Sequence, residues 1–325
     1  MSRAARLVAL LWGINILALL VVLGVVVFYA GRQPARAAFA STPTEPVIYA
    51  HRIYVIPPTF SYPTLTTLNL LTPPDPPATP IPPVTPTPLF LTSGRRSAVI
   101  GLSARGRPIE VYTFGDGETQ RMIVAGIHGG YEWNTIALAD ELITHFDANP
   151  QDIPENVTLY ILRSLNPDGD ARGHDKFGRA NERGVDLNRN FPVNWQEDWD
   201  RDGCWKDLPL TGGDFPASEP ETRALIRFIE QHHVDALISY HSAALGVFPG
   251  GDPWDADSIR LAKALAKITG YPFPPLDTGC IYQGTLADYA VSMGAAAVDM
   301  ELNNHRDTDF ESNLQALLMF LNWTR

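Results

Sequence analysis

Cysteine is scarce in this chain. The 325 residues hold two, Cys204 and Cys280, and no Cys-x-x-Cys pair, so neither a thiolate zinc site nor an iron-sulfur cluster can be assembled from them. A disulfide between the two and a pair of unlinked thiols are both open on the sequence alone. Basic charge is scarce as well: 25 Lys and Arg stand against 36 Asp and Glu, a net charge of -11. Residues 1–96 hold seven Arg and two acids, so residues 97–325 carry 18 basic against 34 acidic residues, a net of -16. That balance excludes nucleic acid as the main partner. Internal repeats are absent. At 45% hydrophobic residues the chain buries a real core, which excludes a disordered polypeptide.

Composition divides the chain into a short flank at residues 1–6 and three zones. Residues 7–30 are uncharged and rich in Leu, Val, Ala and Ile. A bilayer crossing needs roughly 20 apolar residues, so this zone is expected to be a transmembrane signal anchor. Cleavage near Ala38-Phe39-Ala40 is the alternative, and would give a secreted form. Arg3 and Arg6 on one side are matched by Arg32 and Arg36 on the other. These charges do not set the orientation, and a single-pass membrane protein with its large domain on the extracytoplasmic side is expected. Residues 31–96 form a linker rich in Pro and Thr, and half of the 28 prolines fall between Pro43 and Pro88. Proline holds the backbone extended and offers no amide donor, so the zone reads as a stalk. The same prolines argue against a folded domain over 41–96.

Residues 97–325 have globular patterning. Apolar runs at Met122–Ala125, Val157–Leu162, Val234–Ile238 and Ala297–Met300 read as buried strands, and three-and-four apolar spacing predicts helices over Glu132–Phe146, Glu219–His232 and Ser258–Thr269. Strands alternating with helices imply an α/β sandwich around a mixed, largely parallel sheet.

Such sheets place their chemistry beyond the carboxyl ends of the strands. After the first run stand His128 and, four residues on, Glu132. His241 follows Leu237-Ile238-Ser239-Tyr240. Two imidazoles and a carboxylate make a common catalytic zinc set with one position left for water. Downstream come Asn166-Pro167-Asp168-Gly169, Arg179-Ala180-Asn181, the run Asp186-Leu187-Asn188-Arg189-Asn190-Phe191-Pro192, then Ile281-Tyr282-Gln283 and Asp299-Met300-Glu301.

In this order the constellation resembles the carboxypeptidase A-type zinc peptidases over nearly all of residues 97–325, most specifically from Asp186 to Pro192. The resemblance implies one zinc ion held by His128, Glu132 and His241, with Glu301 as general base acting on a zinc-bound water. It implies Arg179 as the group that polarises the scissile carbonyl. Asn188 and Arg189 would grip the substrate's terminal carboxylate, Tyr282 would close over it, and Asp186 would orient the first histidine. The partner is then a peptide with a free C-terminal carboxylate. The physical logic agrees with these roles: zinc acidifies water toward neutral pH, a nearby carboxylate moves its proton, and a planar guanidinium matches a carboxylate.

The chain departs from the family's usual His-x-x-Glu spacing by one residue, which falls beside Gly129 and Gly130. Ala287 stands where the family lines its side-chain pocket, so no charged preference is expected there. Asp198, Asp200 and Asp202 alternate before Gly203 like the start of a calcium loop, although Pro209 occupies the position of the closing Glu. A solvated acidic loop is the competing reading, and a bond from Cys204 to Cys280 would tie that loop near Tyr282. Two rival functions stand beside the carboxypeptidase: a cell-wall peptide amidase or endopeptidase of the same fold, and an inactive membrane-tethered peptide-binding protein. Retention of Glu301 speaks against the second, because binding alone needs no proton-transfer carboxylate.

Overall fold

The computed structural model describes residues 89–90, 96–198, 205 and 207–325. The expected anchor at residues 7–30 and most of the linker lie outside them. Among the described residues no helix is long and apolar enough to cross a membrane.

Among the described residues eight strands form one sheet: β1 (Leu89–Phe90), β2 (Arg96–Leu102), β3 (Pro108–Gly115), β4 (Thr119–Val124), β5 (Val157–Leu162), β6 (Ala236–Ser242), β7 (Val247–Pro249) and β8 (Ala296–Leu302). Their order across the sheet is β1-β2-β3-β5-β4-β6-β8-β7. The four central strands, β5, β4, β6 and β8, run parallel. The remaining pairings are antiparallel. The sheet is therefore mixed, as expected, but with three parallel and four antiparallel pairings its parallel part is the centre and not the bulk. The reason is local. Ser103 and Gly106 close a tight turn between β2 and β3, with Gly106 at φ +79, and a turn that short joins only antiparallel neighbours.

Among the described residues there are six helices: α1 (Trp133–Ala148), α2 (Pro167–Arg172), α3 (Pro220–His232), α4 (Ala256–Thr269), α5 (Leu286–Ser292) and α6 (Phe310–Asn322). Side-chain alternation along the strands sends Ile123, Ile161, Ile238, Tyr240, Val298 and Met300 into one core with α1, α4 and α6. Met122, Leu162, Leu237 and Ala297 enter the other with α3 and α5. Every residue of β5 and β6 is buried, which is why β5 and the first part of β6 read as apolar runs. The three predicted helices are present with their ends moved by at most two residues. Asp255 caps α4 by accepting the Ser258 N–H, and α3 ends at His233 in a left-handed conformation.

Candidate metal centre

His128 leaves the sheet four residues beyond the end of β4, and a 3-10 turn over Gly129–Glu132 brings Glu132 back beside it. This turn absorbs the additional residue in the His128 to Glu132 spacing. Gly129 sits at φ +47, and a Cβ on Gly130 would lie 2.2 Å from the Gly173 carbonyl oxygen. Both positions therefore require glycine. Gly130→Ala is expected to cost about 1–3 kcal/mol through overpacking and to lower zinc occupancy by displacing Glu132. Thermal melting with metal analysis checks this, and a variant matching the parent in both would show the turn to be more yielding than its contacts imply.

His241 comes from β6, in register with Glu301 of β8 on the adjacent parallel strand. The donor atoms of His128, Glu132 and His241 lie within 4.8 Å of one another. His128 Nδ1 is 2.8 Å from Glu132 Oε1. His241 Nδ1 is 3.1 Å from Glu132 Oε2 and 3.2 Å from His128 Nδ1. All three side chains are at most 4% exposed. On the far side of its ring, His128 Nε2 meets Asp186 Oδ1 at 3.1 Å. That contact places a proton on Nε2 and leaves the Nδ1 lone pair for the shared point, as a metal-ligating imidazole requires. The donor set therefore fits zinc.

The electrostatics agree with a site made for a cation. Burial opposes the charge on Glu132, yet the two imidazoles overcome it and hold this carboxyl well below the usual carboxylate range. Burial also disfavours protonated His241, but Asp299 and Glu132 reverse the balance and push it up to about 10. Glu301 behaves in the opposite way: burial and the neighbouring Glu132 push its carboxyl up to about 8. Its Oε2 is buried without a hydrogen-bond partner.

Asp186 is the N-cap of a 3-10 turn over Leu187–Arg189 and is fully buried. It accepts hydrogen bonds from Arg179 Nε at 2.9 Å and from the Asn188 backbone N–H at 3.0 Å. Arg179 Nη1 reaches Glu132 Oε1 at 3.4 Å, and its guanidinium lies 4.4 Å over the Trp205 ring. Arg189 is buried beneath Tyr282, whose ring centre is 5.3 Å from the guanidinium carbon. Tyr282 is 40% exposed, and its hydroxyl pairs with Thr278. Asn188 is turned inward: its amide donates to Asp299 Oδ2 at 3.2 Å, and its Oδ1 accepts the Leu286 N–H at 2.8 Å.

A cavity of about 590 Å³ joins these groups. The structure thus brings His128, Glu132, His241, Glu301, Arg179, Asn188, Arg189 and Tyr282 to one space, with Asp186 directly behind it. Ala287 lines the cavity as expected, but so do Asp252 and Asp288, which sequence reasoning missed as pocket acids. Tyr131, Trp205 and His305 were missed too, and they form a connected aromatic wall, with Tyr131 5.0 Å from Trp205 and 4.6 Å from His305. Their signal was weak, because each stands in a segment whose neighbours carry no periodic pattern. Of the calcium candidates, Asp200 and Asp202 lie outside the described residues. Asp198 joins no cluster of three metal-ligating side chains among the described ones. Cys280 is disulfide-bonded and sits in the cavity wall, while Cys204 lies outside the described residues.

Residues 94–308 match the profile of the zinc carboxypeptidase family, well over half of the chain, and the chain belongs to that family of zinc metallopeptidases. It is 36% identical over 126 residues to murein peptide amidase A of Escherichia coli (strain K12), covering 37% of this chain and 48% of the relative. It is 30% identical over 232 residues to carboxypeptidase A1 of Rattus norvegicus, covering 60% of this chain and 54% of the relative. The matches thus span about half the length of these curated relatives. Among solved structures, murein-tripeptide amidase from Escherichia coli O157 aligns over 70% of this chain and 92% of its own, at 25% identity and a TM-score of 0.51.

Proposed function

We propose that the protein hydrolyses the amide bond that precedes a C-terminal residue bearing a free carboxylate. The observation that carries this reading is the convergence of three buried donors beside Glu301, whose buried Oε2 has no hydrogen-bond partner of its own. Zinc held by His128, Glu132 and His241 would supply Lewis acidity, polarising the carbonyl and making water nucleophilic near neutral pH. Glu301 accepts a proton as the water oxygen bonds to the carbonyl carbon, and returns it to the nitrogen as the C–N bond breaks. Arg179 faces the same space and donates to the negative charge that develops on the carbonyl oxygen. Arg189 presents its fork to the terminal carboxylate under the cover of Tyr282. Asn188 plays a smaller part in that grip than the resemblance implies, because its amide is committed to Asp299 and the Leu286 N–H.

A cell-wall peptide amidase is the second reading, favoured by Asp252 and Asp288 in the wall of the same cavity. Among the described residues the cavity's basic side chains other than histidine are Arg179 and Arg189, so these two carboxylates complement an amine on the departing residue. The similarity to murein peptide amidase A supports the same direction. Blocked dipeptides ending in Lys and in Phe, set against a wall-derived peptide ending in a diamino acid, separate the readings. Asp288→Asn keeps an acceptor for the Gly251 N–H and is expected to lower kcat/KM about 10-fold, about 1.4 kcal/mol, on amine-bearing substrates alone. Equal losses on Phe-ended substrates would assign Asp288 to structure. We further propose that residues 7–30 tether the protein to a membrane, with the catalytic domain outside. Recovery of the full chain in the soluble fraction argues against the tether.

A further inference from the structure

We propose that Asp299 is the positioning residue behind His241, the counterpart of Asp186 behind His128, and that Asn188 ties the two carboxylates together. This rests on the zinc reading given above. Asp299 and Glu301 alternate on β8, as Ser239 and His241 do on β6, and the strands pair Ser239 with Asp299 and His241 with Glu301. Period-two alternation puts these four side chains on one face of the sheet.

The ring of His241 spans that face. Its Nδ1 points to the donor cluster, and its Nε2 points back toward Ser239 Oγ at 3.0 Å and Asp299 Oδ1 at 3.6 Å. An imidazole that ligates through Nδ1 carries its proton on Nε2, and that proton needs an acceptor. For His128 the acceptor is Asp186. For His241 the hydroxyl of Ser239 is one, and the only carboxylate paired with Nε2 among the described residues is Asp299. Asp299 Oδ2 is taken by the Asn188 amide, whereas its Oδ1 is buried and makes no hydrogen bond. A buried carboxylate oxygen without a partner is costly, so the Oδ1 atom and the Nε2 proton answer each other's need.

Asn188 makes the two halves one unit. Its backbone N–H donates to Asp186 Oδ1 and its side chain donates to Asp299 Oδ2, while the Leu286 N–H fixes its own oxygen. The residue that the family resemblance assigns to substrate thus braces the supports of both histidines.

The test is zinc affinity of the full chain, measured by chelator competition, together with the visible absorption of the cobalt-substituted protein. Parent, Asp299→Asn and Asp186→Asn are compared. Both variants are expected to bind zinc about 10- to 100-fold more weakly, with altered cobalt spectra. Asn188→Ala keeps both carboxylates and removes one link, and a loss of about 10-fold is expected. It also serves should Asp299→Asn fail to fold. Parental affinity and an unchanged cobalt spectrum in Asp299→Asn overturn the proposal, as does a raised KM with zinc affinity intact, which would make Asp299 a substrate contact. Failure of the parent itself to bind zinc would instead overturn the metal reading.

Discussion

Glu301→Gln is expected to retain zinc and to lower kcat about 1,000-fold, within the range of about 100- to 10,000-fold that positioned acid-base groups supply. The amide fills the same volume at the end of β8 but cannot accept the proton. Burial and Glu132 hold this carboxyl up to about 8. A divalent cation beside it acts in the opposite direction, because it favours the ionised form. Deprotonation of the base should therefore appear as an acidic limb of kcat/KM with its midpoint below that value, activity rising with pH, and the limb should vanish in the variant. Metal content, kcat and the pH profile decide the matter together. A Gln variant with parental turnover removes Glu301 from the mechanism.

Asp186→Ala is expected to be the most destabilising of the single changes considered, by about 3–5 kcal/mol, the usual cost of breaking one side of a buried ion pair. Asp186 is fully buried and receives both Arg179 Nε and Nη2, at 2.9 and 2.8 Å, so its removal strands a guanidinium that is itself 4% exposed. Zinc affinity should fall as well, since the His128 Nε2 proton loses its acceptor. The two effects come apart in a second variant. Adding Arg179→Met removes the stranded charge and should restore part of the stability measured in urea, while zinc affinity stays low. A double variant no more stable than Asp186→Ala would mean that the Arg179 charge is relieved elsewhere, through Glu132 or over Trp205.

What the sequence made legible follows physical lines. β5 was readable to the residue, since a strand covered on both faces is a continuous apolar run, and α1, α3 and α4 announced themselves by periodicity. His128 and His241 were readable because each stands just beyond an apolar strand or near its end, where polar side chains need a reason to be, and Glu132 because it opens the helix that follows His128. The antiparallel flank was not. β2 alternates only loosely between exposed and half-buried residues, and β7 is three residues long. Asp299 was in plain view two residues before Glu301, and alternation along a strand would have put it on the same face. What the sequence could not give was its distance from a ring on a neighbouring strand. Likewise the longer His128 to Glu132 spacing could be judged only once Gly173 was seen packed against Gly130.

The pairing of β6 with β8 has a consequence for how this site can fail. His241 and Glu301 are cross-strand neighbours, while Tyr240 and Met300, their sequence neighbours, face the opposite core and are fully buried. A slip of a single residue between these strands would rotate the acidic group into hydrocarbon and bring a thioether to the reaction space. Fidelity of the chemistry is thus enforced from behind the sheet, by greasy side chains that never meet a substrate.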